Sequence, residues 1–337
     1  MIRLCCAFFL IWGSLSARAG ESADLRAQLD QLASRSTLYS PSLKPWHLKL
    51  EYTLYDDDGT HPVPGVLEEW WAAPDQDRIT YTSGAFSGTQ LRTPDGVFRT
   101  AGMPAAPYAL EELHNGVVDP VPPPEVLDRT EPQPTKVQAG KTTLGCIILV
   151  LKGRPAIASA GAFPTYCFST PQDELRMTLN FFVQRLVRNG MARFQGQSVA
   201  TKVGLSLAEI KTGEAKVTAL QALPAAGMDF STAGLEKHES AANSAEVFAG
   251  RLLHQVPPVY PEAAKQHHIG GLVLLRTQIG KDGRVKEVAV RYSSSPFLNG
   301  AAEEAVKQWV YEPYLLHGSA VEVDTTVTVR FILGNDR

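Results

Sequence analysis

The most regular pattern of apolar and polar residues lies in the last quarter of the chain. From Val321 to Leu333 the two kinds of side chain alternate, which predicts a strand with one buried face. Upstream, strands Gly271 to Ile279 and Arg284 to Ser293 flank Gly280-Lys281-Asp282-Gly283, whose residues suit a tight turn. Apolar residues at helical spacing between Leu298 and Tyr311 predict a helix. The predicted order is strand, strand, helix, strand.

The preceding 200 residues show shorter alternating runs. A short opening helix is expected with Ser22 as its N-cap. The clearest strand runs from Trp46 to Leu54, where apolar residues alternate with polar ones up to the turn at Asp56. Strand-like pieces recur between Val66 and Leu220, interrupted by a proline-rich stretch in which Tyr108 to His114 predicts a helical turn or two. These runs predict a mostly antiparallel β domain that curls into a half-barrel-like sheet.

Composition shifts divide the chain into segments. Residues 21–222 form the predicted β domain and residues 250–337 the C-terminal ββαβ domain. Between them, residues 223–249 are rich in Ala, Gly, Ser and Glu, which predicts a linker. The predicted fold class is therefore α+β. Residues 1–19 predict a signal peptide, because Arg3 precedes an apolar run and Ala17-Arg18-Ala19 forms a cleavage pattern. An uncleaved membrane anchor is the alternative, and we expect a mature chain in the periplasm.

Cysteine usage agrees with an oxidising compartment. Removal of the leader would leave two cysteines, Cys146 and Cys167, each in a strand-like run. A disulfide between adjacent strands would contribute roughly 3 kcal/mol in the chain-entropy model. Two unpaired buried thiols are the alternative.

No catalytic constellation emerges from the sequence. Gly140-Lys141-Thr142 lacks the first glycine of a phosphate loop, and the adjacent His267 and His268 point in different directions. Glu68 and Glu69 would face opposite sides of a strand. We therefore expect no enzyme activity, no cofactor and no metal. The net charge of −3 gives no reason to expect a nucleic-acid partner.

The C-terminal residues resemble the C-terminal domain of TonB-family proteins, the periplasmic ends of bacterial energy transducers. The matching positions are Tyr260-Pro261, Ala263-Ala264, Gly270-Gly271, Asp282-Gly283, Ser293-Ser294-Ser295, Ala301-Ala302, Trp309, Pro313, His317-Gly318 and Phe331. The resemblance covers Val256 to Leu333. It implies that Tyr260-Pro261 opens the domain and that Trp309 anchors its helix on the sheet.

The resemblance also implies a function. In this family the last strand can accept an extended peptide from an outer-membrane receptor, a case of strand addition at an exposed sheet edge. The side chains expected to read the partner are Glu322, Asp324, Thr326, Thr328 and Arg330. We therefore expect binding to an outer-membrane receptor or another envelope protein within an energy-transduction or transport system. No rod of alternating prolines precedes Val256 and no His lies in the apolar leader, so the expectation is for peptide binding rather than force generation.

The first domain loosely resembles the LolA-like half-barrels of the bacterial periplasm. The residues that carry the likeness are the Trp46 strand, Glu69-Trp70-Trp71-Ala72-Ala73-Pro74 with Arg78, Thr93-Pro94-Asp95-Gly96 and Phe194-Gln195-Gly196. The likeness implies a concave apolar face that could be lined by Trp46, Tyr52, Trp70 or Trp71, Phe181 and Phe182. The alternative function is therefore a carrier of lipid or lipoprotein. These aromatic residues could instead fill a core, and a structural adaptor without a ligand is a third option. The sequence leaves the oligomeric state open.

Overall fold

The protein divides into two compact units, Met1–Lys237 and His238–Arg337. The computed structural model describes residues 11–56, 59–84, 86–103, 106–122, 124–128, 130–152, 160–161, 163–169, 174–180, 183–238, 251–316 and 319–332. Both units are dominated by β structure. The predicted α+β class, with a large antiparallel sheet followed by a smaller C-terminal domain, is confirmed.

Thirteen strands of the first unit form one sheet. They are β1 (Trp46–Leu54), β2 (Val63–Ala73), β3 (Gln76–Ser83), β4 (Gly88–Thr93), β5 (Gly96–Thr100), β6 (Thr130–Ala139), β7 (Thr142–Leu151), β8 (Thr165–Ser169), β9 (Glu174–Asn180), β10 (Gln184–Phe194), β11 (Gln197–Leu207), β12 (Ile210–Ala222) and β13 (Leu235–His238). Their order across the sheet is β13-β5-β4-β3-β2-β1-β12-β11-β10-β9-β8-β7-β6. Two meanders, β1 to β5 and β6 to β12, are thus joined where β1 pairs antiparallel with β12, placing Trp46 opposite Ala222.

Three helices accompany this sheet in the described ranges. They are α1 (Ile11–Ser36), α2 (Tyr108–Val118) and α3 (Pro124–Leu127). Ser22 lies inside α1 and does not cap it, because the helix continues upstream through Ile11. None of the helices in the described ranges combines the length and the hydropathy that crossing a bilayer requires. The helix predicted near Tyr108 is α2, and its apolar Leu110, Leu113 and Val117 are buried.

The core of the first unit lies between α2 and one face of the sheet. Trp46 and Trp71 are 0% and 1% exposed and stack with ring centroids 5.8 Å apart. They pack in one apolar cluster with Leu110, Leu113 and Val117 of α2. This helix fills the space over the sheet, so Trp46 and Trp71 lie in a packed core, not on the wall of an open cavity. Trp70 stacks on His47, and Phe181 and Phe182 lie outside the described residues.

The two mature-chain cysteines lie opposite each other on neighbouring strands. Cys146 of β7 pairs with Cys167 of β8 in the antiparallel register, and a disulfide joins them. Met177 and Leu144 pack around the bond in a small buried cluster. Of the two alternatives for these cysteines, a disulfide or two unpaired thiols, the structure contains the disulfide.

The segment predicted as a linker begins with ordered structure. After β12 ends at Ala222, a short 3-10 turn spans Ala225–Gly227, and Leu235–His238 then pairs with β5 as strand β13. The sheet therefore extends about halfway into residues 223–249. Residues 239–250 lie outside the described residues.

The second unit contains α4 (Glu262–Gln266), α5 (Asn299–Val306) and seven strands. The strands are β14 (Leu252–His254), β15 (Gly271–Ile279), β16 (Val285–Ser293), β17 (Val310–Tyr311), β18 (Tyr314–Leu316), β19 (Ser319–Val321) and β20 (Val323–Phe331). A three-stranded sheet has the order β16-β15-β20, and two small two-stranded ladders, β14-β17 and β18-β19, flank it. The predicted order of strand, strand, helix, strand corresponds to β15, β16, α5 and β20. The helix ends at Val306, before the predicted Tyr311, because Val310–Tyr311 pairs with β14.

Candidate functional site

The strand predicted to receive a partner lies at an edge of the C-terminal sheet. Among the described residues β20 pairs with β15 alone, over nine consecutive positions from Gly271 opposite Phe331 to Ile279 opposite Val323, without a register shift. The other edge strand, β16, has register shifts at two points against β15. Such irregularities interrupt an edge as a template for pairing, whereas a continuous ladder preserves it. Of the two edges, β20 is the more regular.

Burial fixes which face of β20 points to the core. Val323, Val329 and Phe331 are at most 8% exposed and pack in one cluster with Val273, Leu275, Ala302 and Val306. The alternation of the sequence therefore has the predicted consequence, since these alternate side chains of β20 face the core. The intervening positions lie on the opposite face of the sheet.

The five side chains expected to read a partner lie along β20 and just before it. Glu322 precedes the strand and forms an ion pair with Lys286, whose pKa this hydrogen bond raises. Asp324 lies opposite Gln278, Thr326 opposite Arg276, Thr328 opposite Leu274 and Arg330 opposite Leu272. Arg330 is exposed, whereas the hydroxyl of Thr328 is buried. Thus Glu322 is already paired, and the five residues do not form one uniformly accessible row.

The motif residues of the C-terminal unit hold the sheet in place. The Trp309 indole, 6% exposed, donates to the carbonyl of Val256 at 2.9 Å, and its side chain belongs to the core cluster. The Tyr260 hydroxyl donates to the carbonyl of Ile269 at 2.7 Å, and its ring meets Phe331 edge-on at 5.4 Å. These contacts fasten the segment before α4 to the last residue of β20. Pro261 lies at the N-terminal boundary of α4.

The hairpin turn depends on Asp282 and Gly283. The Asp282 carboxylate accepts a hydrogen bond from the backbone N–H of Arg284 at 3.0 Å. Gly283 has φ +79°, and a Cβ there would lie 2.0 Å from the carbonyl oxygen of Tyr311 and 3.4 Å from the nitrogen of Pro313. Only glycine fits this approach. Gly271, with φ +143°, is similarly close to Ser294.

The first unit contains a buried polar cluster that the sequence did not reveal. Glu69 is 0% exposed; its carboxylate lies 2.7 Å from His114 Nε2 of α2 and accepts a hydrogen bond from the Tyr39 hydroxyl at 2.9 Å. Burial raises the pKa of nearby Asp77 to about 7, although Arg92 pairs with it at 2.9 Å and opposes the rise. The cluster ties α2 to β2. Its only sequence signal was the strand alternation that separates Glu69 from Glu68, which instead meets His47.

Comparisons with known proteins agree with the C-terminal resemblance. Residues 256–333 match the family model described as Gram-negative bacterial TonB protein C-terminal. Protein TonB of Vibrio cholerae serotype O1 is 32% identical over 80 residues, which cover 23% of this chain and 33% of that relative. The chain thus spans about a third of the length of this curated relative. The resemblance identified from Val256 to Leu333 is confirmed for that segment.

Solved structures match each unit separately. The solution structure of the Pseudomonas aeruginosa TonB CTD is 26% identical, with 30% of this chain and 100% of that chain covered and a TM-score of 0.24. A LolA superfamily protein from Nitrosomonas europaea is 7% identical, with coverages of 60% and 94% and a TM-score of 0.38. A DUF1329 family protein from Desulfovibrio piger is 7% identical, with coverages of 63% and 96% and a TM-score of 0.39.

Proposed function

We propose that this is a periplasmic, non-enzymatic protein whose C-terminal sheet captures an extended peptide of an envelope or outer-membrane protein beside β20. The observation that carries the proposal is the position of β20 at a sheet edge, with nine consecutive pairs to β15. An edge strand presents backbone N–H and C=O groups that an added strand can satisfy. The match of residues 256–333 to the TonB C-terminal model supports the same class of role.

The sequence of β20 suits such pairing. Its nine residues, Val-Asp-Thr-Thr-Val-Thr-Val-Arg-Phe, are rich in β-branched side chains and contain no proline. The core-facing residues Val323, Val329 and Phe331 hold the strand in register, so its outer edge stays fixed while a guest binds. Side chains at the alternate positions then supply selectivity. The strand also carries two residues of opposite formal charge, Asp324 and Arg330.

Adjacent proline substitutions in β20 test the edge. Because successive residues of an antiparallel strand direct their N–H groups to opposite sides, one of Thr326→Pro and Val327→Pro removes a donor on the open edge and the other removes a donor to β15. We expect the variant that lacks the open-edge donor to fold. Its affinity for short peptides from periplasmic segments of outer-membrane receptors should fall at least about tenfold, or 1.4 kcal/mol. Fluorescence anisotropy on the full chain measures the affinity, and thermal unfolding identifies the folded variant.

A proline on the opposite edge is the matched control. Ala289→Pro in β16 changes the strand that has register shifts, and a folded form should keep the affinity of the unmodified chain. The proposal fails if the folded β20 proline variant binds every peptide as well as the unmodified chain. It also fails if no receptor segment binds at all.

A second candidate, a carrier of lipid or lipoprotein, is favoured by a groove in the first unit. The groove has a volume of about 680 Å³, and its apolar lining includes Leu144, Met177, Leu179 and Val187. It does not involve Trp46, Trp70 or Trp71. Lipid retained by the full chain after mild purification, and lost on Leu179→Glu, would support the carrier. Mass spectrometry that detects no lipid on the unmodified chain would remove it.

A further inference from the structure

A deeply buried arginine of the first unit makes no ion-pair contact among the residues that the structure describes. Arg188 of β10 is 3% exposed. Its Nε donates to the carbonyl of Gly116 in α2 at 3.1 Å, and its Nη1 donates to the hydroxyl of Thr178 in β9 at 2.7 Å. Both acceptors are neutral. The guanidinium therefore bridges α2 and the sheet through two uncharged acceptors.

No carboxylate in the described part of the chain lies within 4.0 Å of this guanidinium, and Nη2 makes no hydrogen bond there. Burial lowers the pKa of Arg188 to about 10, so the side chain is still charged near neutral pH. A buried charge is costly when it lacks an opposite charge. Glu112 attracts the guanidinium through space without an ion-pair contact, so the part of the chain that the structure describes leaves room at Nη2 for a small anionic group.

A polar cavity adjoins the arginine. Its volume is about 170 Å³. Arg188 lines it together with Glu112 of α2 and Asp119, and with Tyr166, Asn180 and Gln184 of strands β8, β9 and β10. Because about 10–15 Å³ of such space admits one water, the cavity has room for several. That is space for a small polar molecule, and the lining is unsuited to an acyl chain.

The opposite charges of this cavity lie on different elements. Arg188 belongs to the sheet, whereas Glu112 and Asp119 belong to α2 and the residue that follows it. Gln184 donates to the Glu112 carboxylate at 2.5 Å, yet burial raises the pKa of Glu112, and burial also raises the pKa of Asp119. Asp119 also follows the C-terminal end of the helix, where backbone carbonyls favour a cation. The cavity thus favours an anion at Arg188 and a cation near the acids.

We propose that this cavity binds a small zwitterion, with its carboxylate or phosphate on Arg188 and its primary ammonium on the side of Glu112 and Asp119. An α-amino acid and phosphoethanolamine share this chemistry, and the second occurs both free and as a lipid headgroup. The site is independent of the peptide-binding edge in the C-terminal unit. Neither function requires the other.

Calorimetry on the full chain at neutral pH tests the charge pattern. The probes are glycine, phosphoethanolamine, inorganic phosphate and ethanolamine. We expect at least one of the two zwitterions to bind at least tenfold more tightly than either phosphate or ethanolamine, because only a zwitterion meets both charges. The proposal is overturned if neither zwitterion binds, or if phosphate alone binds as tightly.

Substitutions assign the binding to this cavity. Arg188→Gln should weaken the bound zwitterion at least tenfold, and Glu112→Gln should reduce its advantage over phosphate. Arg193→Gln is the control, because Arg193 lies on the same strand but is exposed and donates to Gly196 at 3.4 Å. Unchanged zwitterion affinity in folded Arg188→Gln would overturn the assignment. If that variant does not fold, unchanged selectivity in Glu112→Gln overturns it instead.

Vesicle co-sedimentation distinguishes the two sources of the ligand. Retention on phosphatidylethanolamine vesicles but not on phosphatidylglycerol vesicles, abolished by Glu112→Gln, supports a lipid headgroup. Binding of a free zwitterion without retention on either vesicle supports a soluble ligand. Equal retention on both vesicles, without binding of a free zwitterion, contradicts the proposal.

Discussion

The two sheets of this protein end in different ways. The large sheet ends at β6, which contains Pro132 and Pro134, and at β13, a strand of four residues that includes Glu236 and Lys237. The C-terminal sheet ends at β20, nine residues long and free of proline. Proline cannot donate to a ladder, and short charged strands are poor templates. The first sheet is therefore protected against strand addition, whereas β20 retains a regular edge.

The faces of the two units differ as well. In the first unit α2 covers a packed core and carries His114 to the buried Glu69, so polar groups are held inside the unit. In the second unit α5 covers one face of three strands, and the described chain leaves the outer edge of β20 unpaired. The difference shows that similar alternating strands enclose a core in one unit and leave an edge unpaired, among the described residues, in the other. Edge composition, more than strand propensity, separates the two uses.

The largest expected effect concerns the filled face of the first sheet. Trp46→Ala should lower the free energy of unfolding of the first unit by about 3–5 kcal/mol, because it leaves a cavity beside Trp71. Trp70→Ala, which removes a half-buried ring, should cost about 1 kcal/mol. Urea denaturation followed by circular dichroism measures both. Similar costs for the two variants would contradict the placement of Trp46 in a packed core.

The disulfide sharpens the comparison, because the C-terminal unit has no cysteine. Replacing Cys146 and Cys167 together by Ser should destabilise the first unit by roughly 3 kcal/mol, since the bond closes a loop with a sequence separation of 21. Denaturation with and without reductant measures the change. Reductant should have no effect on the double variant. An equal shift in the C-terminal unit's transition would show that the two transitions are not independent.

Buried Asp77 predicts a pH dependence confined to the first unit. Its pKa of about 7 when folded lies above the ordinary 3.8, so the folded state binds the proton more tightly and the contribution of Asp77 to stability falls as pH rises from about 4 to 7. Groups facing it include Glu69, His114 and Arg92. Asp77→Asn should remove this pH dependence and raise the free energy of unfolding at pH 8 by about 2 kcal/mol. That is part of the about 4 kcal/mol that a pKa shift of three units represents. Unfolding at pH 4 and pH 8 measures the difference. An equal gain in stability from Asp77→Asn at pH 4 and at pH 8 would contradict this prediction.

The smallest effect on stability tests edge protection directly. Pro134→Thr in β6 restores an N–H at an exposed position and should change stability by no more than about 0.5 kcal/mol. It should nevertheless promote association through the edge, which sedimentation at increasing concentration would detect. Gln138→Thr on the same strand is the control. If the two variants have the same mass distribution, proline is not what protects this edge.

Local patterns accounted for much of the fold. The hairpin strand was expected from Gly271 to Ile279 and has those bounds, because alternation and the Asp282-Gly283 turn act over few residues. The helical structure that precedes Ser22 was not expected, since Ser22 is a good cap only where the preceding chain is not helical. The strand β13 was also missed, because four residues pairing with a distant strand leave little local signal.

Some residues of the candidate sites could likewise be predicted from the sequence, and others could not. The motif residues Tyr260, Gly283 and Trp309 could be named from their order, and they do hold the C-terminal unit together. That Glu322 is paired with Lys286 depends on β16 and β20 lying on either side of β15, which sequence spacing alone does not define. The Arg188 cavity was not predicted, because its walls come from α2 and three separate strands.

The sequence by itself determined the alternating strands, the tight turn and the C-terminal resemblance, because these depend on residues close together or in a fixed order. Only the tertiary structure decided that β1 pairs with β12, that β20 is the regular edge and that Trp46 is enclosed by α2. The physical reason is that strand order, edge exposure and the charge around a buried side chain arise from contacts between distant segments. Arg188 illustrates this: its residue type is evident from the sequence, but its burial against two uncharged acceptors is a property of the packed fold.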